Sequence, residues 1–235
     1  MSQDAVRREY IARINRVIDY IERHLDSNLS LETIAEVAHF SPFHFHRIFR
    51  AMIGETLNNF IQRLRIEKAA LQLLGNREKS ITGIALDCGF SGSAAFARAF
   101  REAFGQSASE WRKNRKMPGN IRQMPGNAGK APFASSMYFN SDTHHITWRL
   151  TMNSKAVDVN VMDFEPMTVA YVRHVGPYKG DEALFGRLFE KLMSWAGPRG
   201  LLGNPDIKIL ILYHDDPDVT QEDKLRTSVC LTVPA

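Results

Sequence analysis

The sequence lacks the features that would place a chain outside the cell or across a membrane. It has only two cysteines among 235 residues, Cys88 and Cys230, which excludes a disulfide framework and favours two reduced, buried thiols, with a redox-sensing pair as the alternative. No run approaches the roughly 18 apolar residues of a membrane span, and the N-terminus has no signal-peptide pattern. We therefore expect a cytoplasmic protein with no membrane partner.

The motifs of the common enzyme classes are also missing. The sequence contains no Gly-rich phosphate loop, no nucleophile elbow and no paired catalytic carboxylates. Neither of two histidine pairs, His44 with His46 and His144 with His145, fits a known set of metal ligands. The acidic stretch from Asp215 lacks the glycine and glutamate of a calcium loop. These patterns predict no catalytic activity, no metal and no cofactor.

Positive charge is modest and is concentrated in one half of the chain. The formal net charge is +4; residues 1–116 hold 18 Lys and Arg against 13 Asp and Glu, whereas residues 117–235 hold 12 against 13. A chain of this length predicts two domains of roughly 100 residues each. A basic module joined to a near-neutral one suggests that only the first meets a polyanion. Because residues 117–136 are rich in Gly, Pro, Asn and Ser, we predict a linker over 117–155 between domains 1–116 and 156–235.

An internal repeat dominates the first domain. Ile34-Ala35 and Phe40-Ser41 recur fifty residues later as Ile84-Ala85 and Phe90-Ser91. Phe45-x-Arg47-x-Phe49-Arg50 and Gly54 recur fifty-one residues later as Phe96-x-Arg98-x-Phe100-Arg101 and Gly105, so the second copy has gained one residue in its turn. Each copy has the spacing of a short helix, a turn and a second helix opened by a serine cap. We therefore predict an all-α domain with two helix-turn-helix motifs.

Helices are also predicted on either side of the first copy. An apolar stripe from Ile11 to Leu25 marks a helix at the start of the chain. Apolar residues from Leu57 to Leu74 mark a helix of nearly twenty residues between the copies, about 28 Å long at ~1.5 Å per residue. This length approaches the ~34 Å that separates successive major grooves on one side of DNA. One chain is thus expected to cover an asymmetric site of about two turns.

The second helix of each copy has an inward and an outward face. The predicted inward residues are Phe45, Ile48, Phe49 and Met52 in the first copy and Phe96, Ala99, Phe100 and Ala103 in the second. The outward residues, which are the predicted DNA contacts, are Phe43, His46, Arg47 and Arg50 in the first copy and Ser93, Ala94, Ala97, Arg98 and Arg101 in the second. Core packing explains the phenylalanines of the inward faces, but it does not explain outward arginines in both copies.

The outward residues have distinct predicted roles. Arg47 and Arg98 are the predicted base readers, because arginine can donate two hydrogen bonds to guanine. Arg50 and Arg101, one turn later, are expected to bind phosphates, and Phe43 to press against a thymine methyl group. The first copy presents the more polar face, so it is expected to supply most of the specificity while the second mainly anchors.

The sequence resembles the AraC/XylS family of transcriptional regulators over about residues 8–115. The resemblance lies in Ala85-x-x-x-Gly89-Phe90, Phe96-x-Arg98-x-Phe100-Arg101, Gly105 and Trp111-Arg112. It implies a chain that binds double-stranded DNA through two helix-turn-helix motifs bridged by a helix. One position departs from the family pattern: Ala108 stands where proline is usual, which should only loosen the start of a helix.

The second domain has an α+β pattern. Alternating stretches predict strands at 157–162, 168–175, 207–213 and 227–233, and residues 181–195 predict an amphipathic helix. The region resembles the GyrI-like effector-binding domain, most clearly in the run from Met167 to Tyr178. That domain is a duplicated strand-helix-strand-strand module, of which residues 156–235 supply one, or half of the fold. A lone module favours either dimerisation through an exposed sheet edge or an incomplete chain.

The resemblance to GyrI-like domains implies a small-molecule effector, apolar or cationic. The residues predicted to line its pocket are Tyr171, Tyr178, Phe185, Trp195 and Tyr213, although aromatics at such spacing are more often core. The leading hypothesis is therefore a DNA-binding transcriptional regulator that responds to a small molecule. RNA polymerase and a second copy of the chain are further expected partners. The alternatives are a GyrI-like hydrolase and a protein-interaction module tethered to DNA.

Overall fold

The computed structural model describes residues 3–114, 133–140, 145–152, 165–204 and 206–234. The chain divides into two units, Met1–Met117 and Pro118–Ala235. Among the described residues, no helix is both long and apolar enough to cross a membrane. The strand predicted at 157–162 lies outside the described residues.

The first unit is helical where it is described. Its elements are α1 (Gln3–Arg23), α2 (Leu31–Val37), α3 (Pro42–Ile53), α4 (Leu57–Gly75), α5 (Ile81–Asp87), α6 (Ser93–Phe104) and α7 (Ala108–Asn114). Helices α2 and α3 form the first helix-turn-helix motif and α5 and α6 the second, as the repeat predicted. Local polar groups define the helix starts: the Ser30 hydroxyl accepts from the Thr33 N–H at 3.1 Å, and the Ser80 hydroxyl from the Gly83 N–H at 2.9 Å.

The predicted serine caps of the two outward-facing helices are not formed as expected. Ser41 is the N-cap of α3 but makes no side-chain capping bond, and Pro42 occupies the first turn. The N-cap of α6 is Gly92, not Ser91. The extra residue of the second copy is therefore accommodated in the segment just before α6.

The core of the first motif lies between α1, α2, α3 and α4. Ile14, Val17, Ile18 and Ile21 are buried along α1, whereas Ile11 is 40% exposed. The inward faces of α3 and α6 also differ from the prediction at their last turn: Met52 is 41% exposed and Ala103 is exposed. Ile53 packs on the core instead, and its equivalent Phe104 lies 4.3 Å from Trp111 between ring centroids. Both helices thus turn the next residue inward, where a neighbouring element covers it.

A close contact holds the second motif against the end of α1. Arg65 of α4 donates 2.8 Å hydrogen bonds to the carbonyls of Leu25 and Ser27. Gly89, in the α5–α6 turn, has φ +83°, and a Cβ there would lie 2.1 Å from the Leu25 carbonyl oxygen and 2.7 Å from Arg65 Nε. Only glycine both adopts the left-handed backbone readily and fits where there is no room for a Cβ atom. The equivalent residue of the first turn, His39, adopts φ 54°.

The second unit contains two separate antiparallel groups of strands. Strands β1 (Phe133–Asn140) and β2 (His145–Met152) pair with each other, with Phe133 opposite Met152. This pair falls inside the stretch predicted as a linker, residues 117–155, and the rest of that stretch lies outside the described residues. The domain boundaries themselves stay predictions.

The second group is a three-stranded sheet covered by a helix. It comprises β3 (Val169–Val175), α8 (Glu182–Ala196), β4 (Ile209–Tyr213) and β5 (Arg226–Thr232), with strand order β3-β5-β4. This is the predicted strand-helix-strand-strand order of an α+β domain. Leu184, Leu188, Phe189 and Leu192 of α8 are buried in one cluster with Val229 and Leu231 of the central strand. The Asp181 carboxylate caps α8 by accepting from the Leu184 N–H at 2.8 Å.

Replacing Gly89 by alanine is expected to destabilise the first unit by about 2–4 kcal/mol, because the new methyl group meets a backbone oxygen and the left-handed φ adds strain. Urea denaturation followed by circular dichroism measures the loss. Gly75→Ala is the matched control: a Cβ at Gly75 meets nothing within 4 Å at the end of α4, so this variant should be neutral or slightly more stable. Equal stability of the two variants would contradict the close contact.

Cys88 is expected to resist alkylation in the folded protein. Its side chain is fully buried, and burial raises the pKa of the thiol from 9.0 to about 11, so little thiolate exists at pH 8. The pKa of Cys88 is higher in the folded protein than in the unfolded chain. The contribution of this thiol to the free energy of unfolding is therefore fully present below about pH 9 and is lost as the pH rises toward 11. Mass spectrometry after iodoacetamide treatment should find Cys88 labelled only when urea unfolds the chain. Rapid labelling at pH 8 without urea would refute this.

Candidate DNA-binding site

Two buried phenylalanines orient helix α3. Phe45 and Phe49 are fully buried with ring centroids 5.4 Å apart, and Phe49 meets Phe60 of α4 edge to face, also at 5.4 Å. Four residues separate the two phenylalanines, so they lie on one side of the helix. The opposite side of α3 is left to face solvent.

Helix α6 is oriented by the equivalent pair. Phe96 and Phe100 are buried, and Phe96 meets Phe90 of the preceding turn at 5.2 Å. Phe100 packs edge to face on Trp111 of α7 at 5.7 Å. The Trp111 indole N–H donates to the Ala70 carbonyl of α4 at 3.2 Å, so α7 ties α6 to the long helix.

All nine residues predicted to contact DNA are exposed. They are Phe43, His46, Arg47 and Arg50 on α3 and Ser93, Ala94, Ala97, Arg98 and Arg101 on α6. Phe43, the most apolar member of the set, has 75% of its surface exposed. The structure therefore presents the predicted set on two solvent-facing surfaces, and their contact with DNA stays a prediction.

Two sets of arginines in the first unit differ in their contacts. Arg13, Arg65 and Arg112 donate to main-chain carbonyls, and Arg63 binds two carboxylates. By contrast, none of the outward arginines of α3 and α6 forms an ion pair or a hydrogen bond through its side chain within the described residues. Their guanidinium groups thus keep their charge and their donors available for an anion or a base edge. The sequence analysis did not identify the first set, in which Arg13, Arg65 and Arg112 reach carbonyls in distant segments of the chain.

Helix α1 secures the turn that leads into α3. Arg13 donates to the His39 carbonyl at 2.9 Å and its guanidinium lies 5.0 Å from the centroid of the Phe40 ring. Tyr10 stacks on Phe40 at 5.3 Å, and its hydroxyl is hydrogen-bonded to His44 Nε2 at 3.2 Å. Of the histidine pair considered as a metal site, His44 is therefore used in packing.

Helix α4 has the predicted length and is anchored to the end of the first motif. Its 19 residues extend about 28 Å at ~1.5 Å per residue. Arg63 binds Glu55 at 2.7 Å and Glu67 at 3.2 Å, and all three side chains are at most 17% exposed. The Arg63–Glu55 pair joins α4 to the turn that follows α3.

Helix α7 starts without the proline typical of the family, but it is capped. The Glu110 carboxylate accepts from the Ser107 N–H at 2.8 Å, and the Ser107 hydroxyl accepts from the Glu110 N–H at 3.2 Å. This reciprocal capping box satisfies two donors at the helix start. The hydrogen bonds from Ser107 lower the pKa of Glu110. Ala108, which is buried, therefore begins a well-defined helix.

The residues predicted to bind an effector do not form one surface. Tyr178 lies 5.3 Å from Tyr213 and 6.4 Å from Phe185 between ring centroids, so these three form an aromatic cluster on the α8 side of the sheet. Trp195 lies ten residues after Phe185 on α8, about 15 Å along the axis, and it is 40% exposed beside Arg199.

Tyr171 points to the other face of the sheet. Ala170 and Val172 pack against α8, and side chains alternate along a strand, so Tyr171 between them lies on the opposite side. Its ring contacts the Arg173 guanidinium at 4.9 Å. A cleft lined by Met167, Asp206, Ile207, Lys208 and Thr232 lies at the end of the sheet remote from the aromatic cluster, and it contains none of the predicted residues.

The electrostatic surroundings of the aromatic cluster are acidic. Burial is the main cause that raises the pKa of Tyr178, and the nearby charges of Asp215 and Asp216 raise it further. Arg226 binds Asp215 through two guanidinium nitrogens, with both side chains almost fully buried. The Asp215 charge is thus compensated by Arg226, whereas Asp216 makes no ion pair within the described residues.

These features define a two-part chain with a double helix-turn-helix unit followed by an α+β unit. Residues 34–114 match the family model of a helix-turn-helix domain, and residues 158–235 match that of the GyrI-like small molecule binding domain. The chain therefore carries a helix-turn-helix domain of the AraC type and a GyrI-like domain.

Curated relatives match part of this chain. The probable transcriptional regulator LumQ from Photobacterium leiognathi is 32% identical over 103 residues, which are 43% of this chain and 41% of LumQ. The bifunctional transcriptional activator/DNA repair enzyme AdaA from Bacillus subtilis (strain 168) is 33% identical over 104 residues, 44% of this chain and 49% of AdaA. The chain thus spans less than half the length of either relative.

Solved structures also align with the first unit. The C-terminal domain of AraT, a response regulator from Geobacillus stearothermophilus, is 31% identical with a TM-score of 0.43 and covers 45% of this chain and 87% of that chain. An AraC-type transcriptional regulator from Chromobacterium violaceum is 28% identical with a TM-score of 0.43 and covers 46% of this chain and 96% of that chain.

Proposed function

We propose that this protein is a sequence-specific, DNA-binding transcriptional regulator of the AraC type, modulated by a small molecule that its GyrI-like domain binds. The observation that carries the proposal is the pair of outward arginine surfaces on α3 and α6, whose guanidinium groups have no carboxylate partner among the described residues. The two domain matches and the regulators among the relatives support it. They do not favour the hydrolase or the tethered interaction module, and the repair activity in AdaA's name belongs to AdaA.

In this proposal the two motifs enter successive major grooves. Arg47 and Arg98 each donate two hydrogen bonds to a guanine. Arg50 and Arg101, three residues later, bind phosphates and set the register. The ~28 Å length of α4 suits motifs placed about one DNA turn apart. The first motif supplies most of the specificity because its surface also carries Phe43 and His46, whereas α6 surrounds Arg98 with small residues.

For the GyrI-like domain we propose the aromatic cluster of Tyr178, Phe185 and Tyr213 as the contact surface for an apolar or cationic effector. Ring faces attract cations, and the Asp216 carboxylate adds negative charge nearby. Trp195 and Tyr171 lie elsewhere and are not part of this surface. RNA polymerase and a second copy of the chain are the further proposed partners, in the cytoplasm.

Loss of a base-reading arginine is expected to weaken selective DNA binding. The full chain is first used to enrich duplexes from a random pool, and affinity is then measured by mobility shift at several salt concentrations. Arg47→Ala and Arg98→Ala should each cost ~1–3 kcal/mol on the enriched duplex. Arg50→Ala and Arg101→Ala should weaken all duplexes alike and lower the salt slope by about 1.

The matched control for lost charge is Arg187→Ala, an exposed arginine of α8 in the second unit, which should bind like the parent. If Arg47→Ala and Arg98→Ala also bind like the parent, the assignment of the reading surfaces is wrong. If the full chain enriches no duplex, sequence-specific DNA binding itself is refuted.

The aromatic cluster is expected to bind a quaternary ammonium ion more tightly than a neutral aromatic molecule. Benzyltrimethylammonium and benzyl alcohol serve as probes, with tyrosine ring signals in NMR spectra as the measurement. Tyr178→Ala should weaken ammonium binding several-fold through the lost ring contact, of order 0.5–2 kcal/mol. Trp195→Ala, which removes an exposed aromatic at the other end of α8, should leave it unchanged. Equal ammonium binding by the parent and by Tyr178→Ala would show that the aromatic cluster is not the binding surface.

A further inference from the structure

The two outward helices differ in one contact between side chains. On α3, the Arg47 guanidinium carbon lies 5.9 Å from the centroid of the Phe43 ring, within the ~6 Å range of a cation–π interaction. The residues are four positions apart, so they are neighbours on the same helical surface. Within the described residues this is the contact that Arg47 makes through its guanidinium.

The second copy has no counterpart to this pair. Ala94 occupies the position of Phe43, four residues before Arg98, and a methyl group offers no ring face. The Arg98 guanidinium therefore has no ring partner of this kind in the described part of the chain. The two arginines predicted to contact bases thus differ in their local contacts.

We infer that Phe43 is a positioning residue that holds the Arg47 guanidinium near its ring before DNA binds, and that this cation–π pair makes the first motif the more discriminating one. The inference rests on the proposed function. Ordering a long side chain on binding costs free energy, and a group that is already ordered avoids part of that cost. A cation–π contact uses none of the guanidinium N–H donors in a hydrogen bond, so they stay available for a guanine.

The high exposure of Phe43 agrees with this role. Phe43 is 75% exposed, so its burial contributes little to folding stability. For the same reason Phe43 can be replaced with little effect on folding, so binding changes in its variants report on recognition.

A double-mutant cycle tests the inference on the duplex enriched by the full chain. Phe43→Leu keeps an apolar side chain but removes the ring, and it should weaken binding about twofold to fivefold, the range expected for an exposed cation–π contact. In the Arg47→Ala background the same replacement should change affinity by less than about 1.5-fold, because the partner is gone. Phe43→Tyr keeps the ring and should bind like the parent.

Discrimination gives a second readout. Phe43→Leu should reduce, by the same factor, the preference for the enriched duplex over one substituted at the base pair that Arg47 reads. Preference at the base pair read by Arg98 should not change. A loss of equal size in both Arg47 backgrounds would overturn the inference, since Phe43 would then act on DNA directly, for example on a thymine methyl group. No loss in the parent background would overturn it as well.

A measurement without DNA separates this inference from the proposed function. In the free full chain, ring current should move the Arg47 side-chain proton signals upfield, and Phe43→Leu should abolish that shift. Absence of the shift in the parent overturns the inferred cation–π pair, but it does not contradict the proposal of DNA binding. If instead the shift is present but Arg47→Ala binds the enriched duplex like the parent, the assignment of Arg47 as a reader fails, and the role of Phe43 fails with it.

Discussion

The first domain depends on one point of close approach between three distant segments. The Leu25 carbonyl after α1, the Arg65 guanidinium of α4 and the Gly89 backbone meet within hydrogen-bonding or van der Waals distance. Two motifs joined by a helix could otherwise pivot about it, since each has its own small core. Because α4 is bound to the end of α1 at one point and to α7 through Trp111 at another, the two outward helices belong to one framework. A protein that binds two successive major grooves requires a fixed distance and orientation between its two DNA-binding helices.

The division of labour among the arginines follows from this framework. Arginines that bind carbonyls or carboxylates give up their donors to hold loops and helix ends, and their replacement would alter the fold. Those on the outward faces of α3 and α6 have no such partner in the described residues. Their guanidinium groups stay hydrated until an anion or a base edge binds, and the new hydrogen bonds then offset the loss of hydration. Arg47 is intermediate: it lies within cation–π range of Phe43, a contact that consumes no donor. In the proposed function, this single neighbouring residue is what would give the two copies of the motif different specificity.

In the second domain, the sheet and helix α8 produce two unequal faces. The α8 face buries apolar side chains and ends in the aromatic cluster beside Asp216, while the face that carries Tyr171 and Arg173 is polar at several positions. Asp215 is paired with Arg226, whereas Asp216 makes no ion pair within the described residues. A ligand held there would meet ring faces and one negative charge, which suits an organic cation better than an anion.

The sequence by itself determined the helical repeat, the outward position of the nine predicted contacts and the order of elements in the second domain. These follow from local periodicity: residues three or four apart share a helix face, and alternate residues share a strand face. Tertiary structure alone decided the rest. It turned Ile53 and Phe104 inward in place of Met52 and Ala103, because a neighbouring element covers only one side of the last turn. It also separated Trp195 and Tyr171 from the aromatic cluster. The sequence does not reveal which end of α8 lies beside Tyr178 and Tyr213, or which face of the sheet packs on α8. The need for Gly89 and the carbonyl contacts of Arg13, Arg65 and Arg112 likewise depend on segments distant in the sequence, which local periodicity does not encode.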